Sequence, residues 1–254
     1  MSRSLGVVVP AYSPDVERLA AYVRALDDRL APDAIRIELD APDERVVDAL
    51  DALPATIGVS PYRRGKGAAV TAGFEALDTD VLSFTDADGS TPADSFADVV
   101  DPVLAGRADL AAGSRRHPDA TVQSHQTVAR RWLGEGFVQF ARLLLDADLH
   151  DYQCGAKAIT AEGWERVREH LYEAGFAWDI ELVAIAAALD LRIVEVPITW
   201  EDQPGSTVDP VRTSIRMGRA LFAARHRAKR IRDSRLHAAI AATRDEPDAL
   251  VDRK

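Results

Sequence analysis

Five short strand-length runs lie ahead of Arg115, the first of them continuous and apolar: Leu5–Pro10, Ile35–Asp40, Ala55–Ser60, Val81–Thr85 and Ala108–Ser114. Continuous apolar runs of this length suit parallel strands buried on both faces. Helix-period segments separate them. Val16, Leu19, Ala20, Val23 and Leu26 share one side of a helix that starts at Pro14. Val46, Val47 and Leu50 mark a short second helix, and others run from Arg64 to about Leu77 and from Pro92 to Leu104. Strict strand–helix alternation implies an α/β fold with a doubly wound, mostly parallel sheet flanked by helices.

The second half is less regular. One long helix is expected over Ser124–Leu145, strained near Gly134 and Gly136, followed by a strand over Gln153–Thr160. Helices follow at about Ala161–His170 and Asp179–Leu189, then a strand at Arg192–Pro197 and a polar loop over Trp200–Asp209. The expected division is a domain over residues 1–210, a basic helix over 211–242 and a disordered polar tail over 243–254.

The fourth apolar run ends abruptly in Thr85-Asp86-Ala87-Asp88-Gly89. If this run is a strand, its alternation points both carboxylates, spaced i, i+2, to the same side. The carboxyl ends of strands are where open α/β sheets bind ligands. Two carboxylates there suit Mg²⁺ or Mn²⁺, which keeps positions open for phosphate oxygens. An acid-rich turn without a ligand fits the same spacing. A calcium loop needs Gly at its sixth position and Glu at its twelfth; Thr91 and Ala97 stand there, which excludes it. Two chemistries remain open at this point. One is a phosphatase with Asp86 as nucleophile and Asp88 as acid. The other is a glycosyltransferase whose acids hold a metal on a sugar nucleotide.

Composition narrows the setting. The net charge is −10, with only four lysines, Lys66, Lys157, Lys229 and Lys254. An acidic, lysine-poor surface fits solubility in concentrated salt, a halophilic trait, and argues against nucleic-acid binding. Between Arg212 and Arg235, however, nine basic residues meet one acid, Asp233. That stretch, with Ile215, Leu221, Phe222, Ala228 and Ile231 as its apolar side, fits contact with anionic lipid or packing on the domain. No apolar run is long enough to span a bilayer, no signal peptide is visible, and Cys154 is the one cysteine. The expectation is a cytoplasmic protein held peripherally at the membrane's cytoplasmic face.

Further residues could meet phosphate. Arg64-Gly65-Lys66-Gly67 opens a helix but lacks the spacing and the Ser or Thr of a Walker loop. It is read either as an anion site or as a solvated turn. Arg115, Arg116, Arg130, Arg131 and Lys157 are further cations, and guanidinium forks suit a phosphate acceptor. Asp179 and Glu181 lie beside Trp178 at a helix start, where capping is the simple role for Asp179.

Taken in order, these pieces resemble a family 2 glycosyltransferase of the metal-dependent GT-A type, near the dolichyl- or polyprenyl-phosphate sugar synthases. The resemblance runs from Leu5 to Met217. It is carried by Pro10-Ala11-Tyr12, Gly65-Lys66-Gly67-Ala68-Ala69-Val70, Thr85-Asp86-Ala87-Asp88-Gly89, Gly113-Ser114-Arg115 and Asp151-Tyr152-Gln153-Cys154-Gly155-Ala156-Lys157. Phe176–Leu182, Val196–Trp200 and Pro204-Gly205-Ser206 complete it. The resemblance implies a nucleotide-sugar donor, UDP-glucose or GDP-mannose, and a dolichyl or polyprenyl phosphate acceptor, with a slight lean to UDP-glucose. It implies that Pro10, Ala11, Tyr12 and Asp40 line the nucleotide site with Lys66 and Ala87 nearby. Asp86 and Asp88 would hold the donor diphosphate, with Mg²⁺ or Mn²⁺. Arg115, Arg130 and Lys157 would meet the acceptor phosphate. Asp179 and Glu181 would match an acidic pair by the acceptor, with Asp179 the base if the acceptor were a hydroxyl.

Three positions depart from the family pattern. Ser13-Pro14-Asp15 replaces Asn-Glu after Pro-Ala-Tyr, and Asp40 is followed by Ala41-Pro42 instead of Asp-Gly. Thr207 stands where many relatives carry Lys. The first two bear on base preference. They also leave room for a nucleotide-sugar binder without catalysis.

Overall fold

The computed structural model describes residues 3–123, 138–201, 210–232 and 248–253. The first half alternates as expected: β1 (Leu5–Tyr12), α1 (Val16–Leu30), β2 (Ala34–Asp40), α2 (Glu44–Leu50), β3 (Thr56–Ser60), α3 (Lys66–Glu75), β4 (Val81–Thr85), α4 (Ala93–Leu104) and β5 (Leu110–Ser114). Local chemistry sets the ends. The Asp15 carboxylate accepts the Arg18 N–H at 3.1 Å and starts α1. Pro92 caps α4 from outside rather than sitting in its first turn. Gly65 precedes α3 at φ 99°, a conformation that glycine alone adopts without strain.

Three short strands, β6 (Thr121–Gln123), β7 (Ala156–Thr160) and β8 (Ile193–Pro197), join β9 (Thr199–Glu201) in the second half. Helix α5 spans 138–144, and the remainder of the expected Ser124–Leu145 helix lies outside the described residues. Helices α6 (Ala161–Val167), α7 (Trp178–Ala188) and α8 (Pro210–Ile231) follow. The expected helix beyond Arg232 also lies outside the described residues.

The main sheet has seven strands in the order β3-β2-β1-β4-β7-β5-β8. Only β7 runs antiparallel, wedged between β4 and β5, with Thr85 opposite Ala156 and Phe84 opposite Lys157. Successive strand residues feed opposite faces. Val7 and Val9 pack with α1 and α4, whereas Val8 packs with α3, α6 and α7. Every residue of α7 is buried, as a helix covered on all sides must be.

Three features differ from the sequence reading. The strand expected to begin at Gln153 begins at Ala156. Thr199–Glu201, expected in part as loop, pairs in parallel with β6; three-residue strands are too short to show a period. Residues 248–253, expected as disordered tail, form a 3₁₀ turn docked on the domain. There the Leu250 N–H donates to Leu171 O at 2.8 Å and the Leu250 side chain is buried. The triplet Ala249-Leu250-Val251 supplies the apolar contact that average composition hides.

Candidate active site

The acid pair lies at the carboxyl edge of the sheet, one step later than its spacing suggested. β4 stops at Thr85, so Asp86 and Asp88 occupy the turn that follows and strand alternation does not govern them. The turn is built by local bonds. Asp88 Oδ1 accepts the Ser90 N–H at 2.9 Å, and Gly89 between them has φ 69°. Below it, the Tyr22 hydroxyl donates to Thr91 O at 2.6 Å and lies 2.8 Å from Thr85 Oγ1. On the β7 side, the Asp86 N–H donates to Gly155 O at 2.9 Å.

Two lysines and two acids alternate behind this turn. Lys66 Nζ lies 2.8 Å from Asp86 Oδ1 and 3.0 Å from Asp179 Oδ2. Lys157 Nζ lies 2.9 Å from Asp179 Oδ1 and 2.6 Å from Cys154 O. Burial works against the Lys66 charge, but the Asp179 and Asp86 carboxylates more than offset it and keep the ammonium protonated. For Asp86, burial raises the carboxyl, and Lys66 only partly restores it against the neighbouring charges of Asp179 and Asp88. The Asp86 side chain is still 37% exposed, whereas those of Lys157 and Asp179 are 1% exposed.

The assignment of Lys157 to an acceptor phosphate therefore does not match its position. Its charge is spent inside the protein on Asp179 and on backbone carbonyls. Asp179 neither caps α7 through its side chain nor reaches solvent. Glu181, two residues on, faces elsewhere, since i and i+2 do not share a helix face. It accepts the N–H groups of Tyr172 at 2.8 Å and Glu173 at 2.7 Å and is paired by Arg227 of α8. Burial raises its carboxyl despite those partners.

Of the residues expected to line a nucleotide, Pro10, Ala11 and Tyr12 close β1, with Tyr12 exposed and the Arg63 guanidinium 4.1 Å from its ring centre. Asp40 ends β2 but is buried. Its Oδ1 accepts from Arg64 Nε at 2.7 Å and its Oδ2 from the Gly65 N–H at 2.8 Å. Arg64 also reaches Glu38 at 2.8 Å. Asp40 thus anchors the turn that carries Lys66. Ser13 and Ala41, at the two family departures, both have positive φ, 49° and 46°.

Arg115, just past β5, makes a two-pronged pair with the buried Asp151, at 2.7 and 3.0 Å. Burial alone would raise the Asp151 carboxyl, but Arg115 outweighs it and holds the group down to about 2. Glu195 of β8 fixes the same loop, accepting the N–H groups of His150 and Asp151 at 2.7 and 2.9 Å. Arg130, Arg131 and Pro204–Thr207 lie outside the described residues.

Sequence reasoning gave no role to Asp151 or Gly155, and it read Arg64 only within a candidate anion turn, not as the partner of Asp40 and Glu38. Asp151 and Gly155 stood within a quoted motif, and Asp151 is its one acid; its own burial beside Arg115 is what makes that acid matter. Asp86 and Asp88 fit a hard divalent cation, since Mg²⁺ is held by one or two carboxylates plus substrate phosphates. Among the described residues no three His, Cys, Asp or Glu gather for a metal. A cation here would complete its shell from the ligand.

This topology is the GT-A architecture. A glucosyl-3-phosphoglycerate synthase from Mycobacterium tuberculosis, solved with Mn²⁺, UDP-glucose and phosphoglyceric acid, shares the fold with a TM-score of 0.65 at 17% identity, over 88% of this chain and 80% of its own. The chain belongs to glycosyl transferase family 2, whose model matches residues 7–164. The glycosyltransferase AglD of Haloferax volcanii is 31% identical across 84% of this chain and 36% of its own length. A dolichyl-phosphate beta-glucosyltransferase of Dictyostelium discoideum is 31% identical across 65% of this chain and 51% of its own. The chain thus spans about half or less of these two relatives. Family membership leaves the aspartyl-phosphate alternative without support.

Proposed function

We propose that the protein transfers a hexose, with inversion, from a nucleotide sugar to dolichyl or another polyprenyl phosphate. The observation that carries this reading is the pair Asp86 and Asp88 at the carboxyl edge of β4, with the Lys66 ammonium 2.8 Å from Asp86. UDP-glucose is the leading donor and GDP-mannose the second; the names of the relatives support glucose. Pro10, Ala11 and Tyr12 line the nucleotide, Asp40 shapes the adjoining turn, and Ala87 lies under the diphosphate. Arg115 and Arg130 serve the acceptor.

An acceptor phosphate oxygen attacks the anomeric carbon as the bond to the nucleoside diphosphate breaks. The nucleophile is already anionic near neutral pH, so no strong general base is required. It needs cations that orient it. Mg²⁺ or Mn²⁺ at Asp86 and Asp88 would supply stabilisation of the charge growing on the leaving diphosphate. Lys66 contributes a fixed positive charge at the same place.

The acceptor's chemistry calls for a lipid surface, and we place the protein peripherally at the cytoplasmic face of a membrane. Among the described residues no helix is long and apolar enough to cross one. Leu221 and Ala228, on the apolar side of α8 that fitted either lipid or the domain, are buried against the domain. Arg227, Lys229 and Arg232 bond domain acids. Phe222 of that side faces outward beside Phe140 and Leu143 of α5, at 54%, 41% and 78% exposure, with the two phenyl rings 5.7 Å apart. Exposed Arg219 lies one turn before Phe222. Apolar anchors beside a cation suit an anionic bilayer. The acidic, lysine-poor composition supports work in concentrated salt.

The test is a donor screen with radiolabelled nucleotide sugars and polyprenyl phosphate, with and without Mn²⁺. Lipid-linked label that requires Mn²⁺ and vanishes in Asp88→Ala is expected. Full activity of Asp88→Ala would overturn the assignment of that acid. Donor binding without turnover on any lipid phosphate would favour a binder.

A further inference from the structure

Asp179 is where an acceptor-side base was expected, yet its surroundings suit a different task. Both carboxylate oxygens are taken by ammonium groups, Oδ2 by Lys66 at 3.0 Å and Oδ1 by Lys157 at 2.9 Å. A base must reach the proton it removes; this carboxylate is enclosed, at 1% exposure. Lys157 is itself a fixed point. It donates to Cys154 O at 2.6 Å and lies 6.0 Å from the centre of the Phe84 ring, on the face of a strand paired to β4.

Lys66 needs such a fixed point. Its backbone is held: the Gly65 N–H is bound by Asp40, and the Ala68 N–H donates to Ala174 O at 3.2 Å. A Cβ on Gly67 would fall 2.5 Å from Glu173 O, so that loop presses directly on the turn. The side chain beyond still has four flexible bonds. Asp86 and Asp179 hold its charge by ion pairs, 5.1 Å from the centre of the Phe84 ring.

We propose that Asp179 is a positioning residue that holds the Lys66 ammonium against Asp86 at the diphosphate site, and that Lys157 in turn holds Asp179. The naming of the diphosphate rests on the functional reading above; the chain Lys157–Asp179–Lys66–Asp86 does not. With the chain intact, Lys66 meets the donor in one place and without reorganisation. With Asp179 neutral, Lys66 loses one of its two anchors, and an amide N–H₂ in place of an oxygen opposes one of the two lysines. The donor would then meet a wandering cation, and binding would weaken while the acceptor side stayed intact.

Asp179→Asn in the intact protein tests this. Mild acetylation read by peptide mass spectrometry reports on the amines directly. Lys66 should be modified about tenfold faster than in the wild type, relative to Lys229 in the same sample. Unchanged Lys66 reactivity would overturn the proposal. Calorimetry with uridine diphosphate and Mn²⁺ should show affinity about tenfold weaker, and in turnover the donor KM should rise with acceptor KM unchanged. A fall in kcat of about a thousandfold with unaltered diphosphate affinity would mark a base instead and overturn it as well. If the single variant does not fold, Asp179→Asn combined with Lys157→Met removes the stranded buried charge, and the same readings apply. A wild type that binds no nucleoside diphosphate would defeat the functional reading; the amine reactivity would still decide the positioning role.

Discussion

Gly155 lies so close to Asp86 that a methyl group on it would fall 1.8 Å from Asp86 Oδ2. Gly155 stands just before β7, where its carbonyl accepts the Asp86 N–H and brings bare backbone up to the carboxylate. Gly155→Ala should therefore move Asp86 rather than unfold the chain. Overpacking of this kind costs about 1–3 kcal/mol. A modest fall in melting temperature with a loss of turnover of about a hundredfold or more is expected, measured on the same preparation.

The pair Arg115–Asp151 makes stability depend on acid. Asp151 is held at about 2, below the ordinary aspartate value of about 3.9. A carboxyl depressed in the fold adds stability that is full above the unfolded value and lost as pH falls through the folded one. The loss should therefore fall between about pH 4 and pH 2 and be on the order of 2 kcal/mol. Urea melts at pH 5, 3 and 2 should show Asp151→Asn less stable than wild type at pH 5, with the difference shrinking toward pH 2. A constant difference would contradict the pairing.

Cys154 offers a spectroscopic check of the core behind the site. Burial, aided by the Asp151 charge and opposed by Arg115 and Lys157, pushes its thiol up to about 12. The folded protein should not react with a thiol-specific disulfide reagent at pH 8, and one equivalent should react after denaturation. Rapid reaction in the native state would mean that the loop 151–155 opens.

The outward apolar surface predicts where a membrane is met. Leu143→Ser with Phe222→Ser should cut co-sedimentation with anionic vesicles about tenfold. Donor binding in solution should remain as in the wild type. Neutral vesicles should bind less than anionic ones, and added salt should weaken binding. Equal binding by the double variant would place the contact elsewhere.

Much of the sheet was legible because parallel strands buried on both sides leave apolar runs, unbroken in Val7-Val8-Val9 and broken only by Ser83 in Val81–Phe84. Direction is not written in such a run, so the reversal of β7 was not legible. Lys157 shows the same limit in the site. A lysine in a strand reads as a cation facing a ligand, and only Asp179, distant in sequence, reveals that its charge is internal. Asp40 and Glu181 likewise read as ligand-facing acids. Their partners, Arg64 and Arg227, come from other elements and exist only once the layers have packed. The acid turn itself was legible because its chemistry is local: two carboxylates, a glycine and a serine N–H within five residues.

The reversed strand also has a consequence for how the molecule is made. Strand β4 pairs with β1 on one flank, but its other flank is filled by residues 156–160, which leave the ribosome long after it. Until they emerge, the segment that ends in the two acids is a bare β-edge on the growing polypeptide, the kind that sticks to its neighbours. Covering that edge and seating Gly155 against Asp86 are thus one event, which waits for residues 156–160.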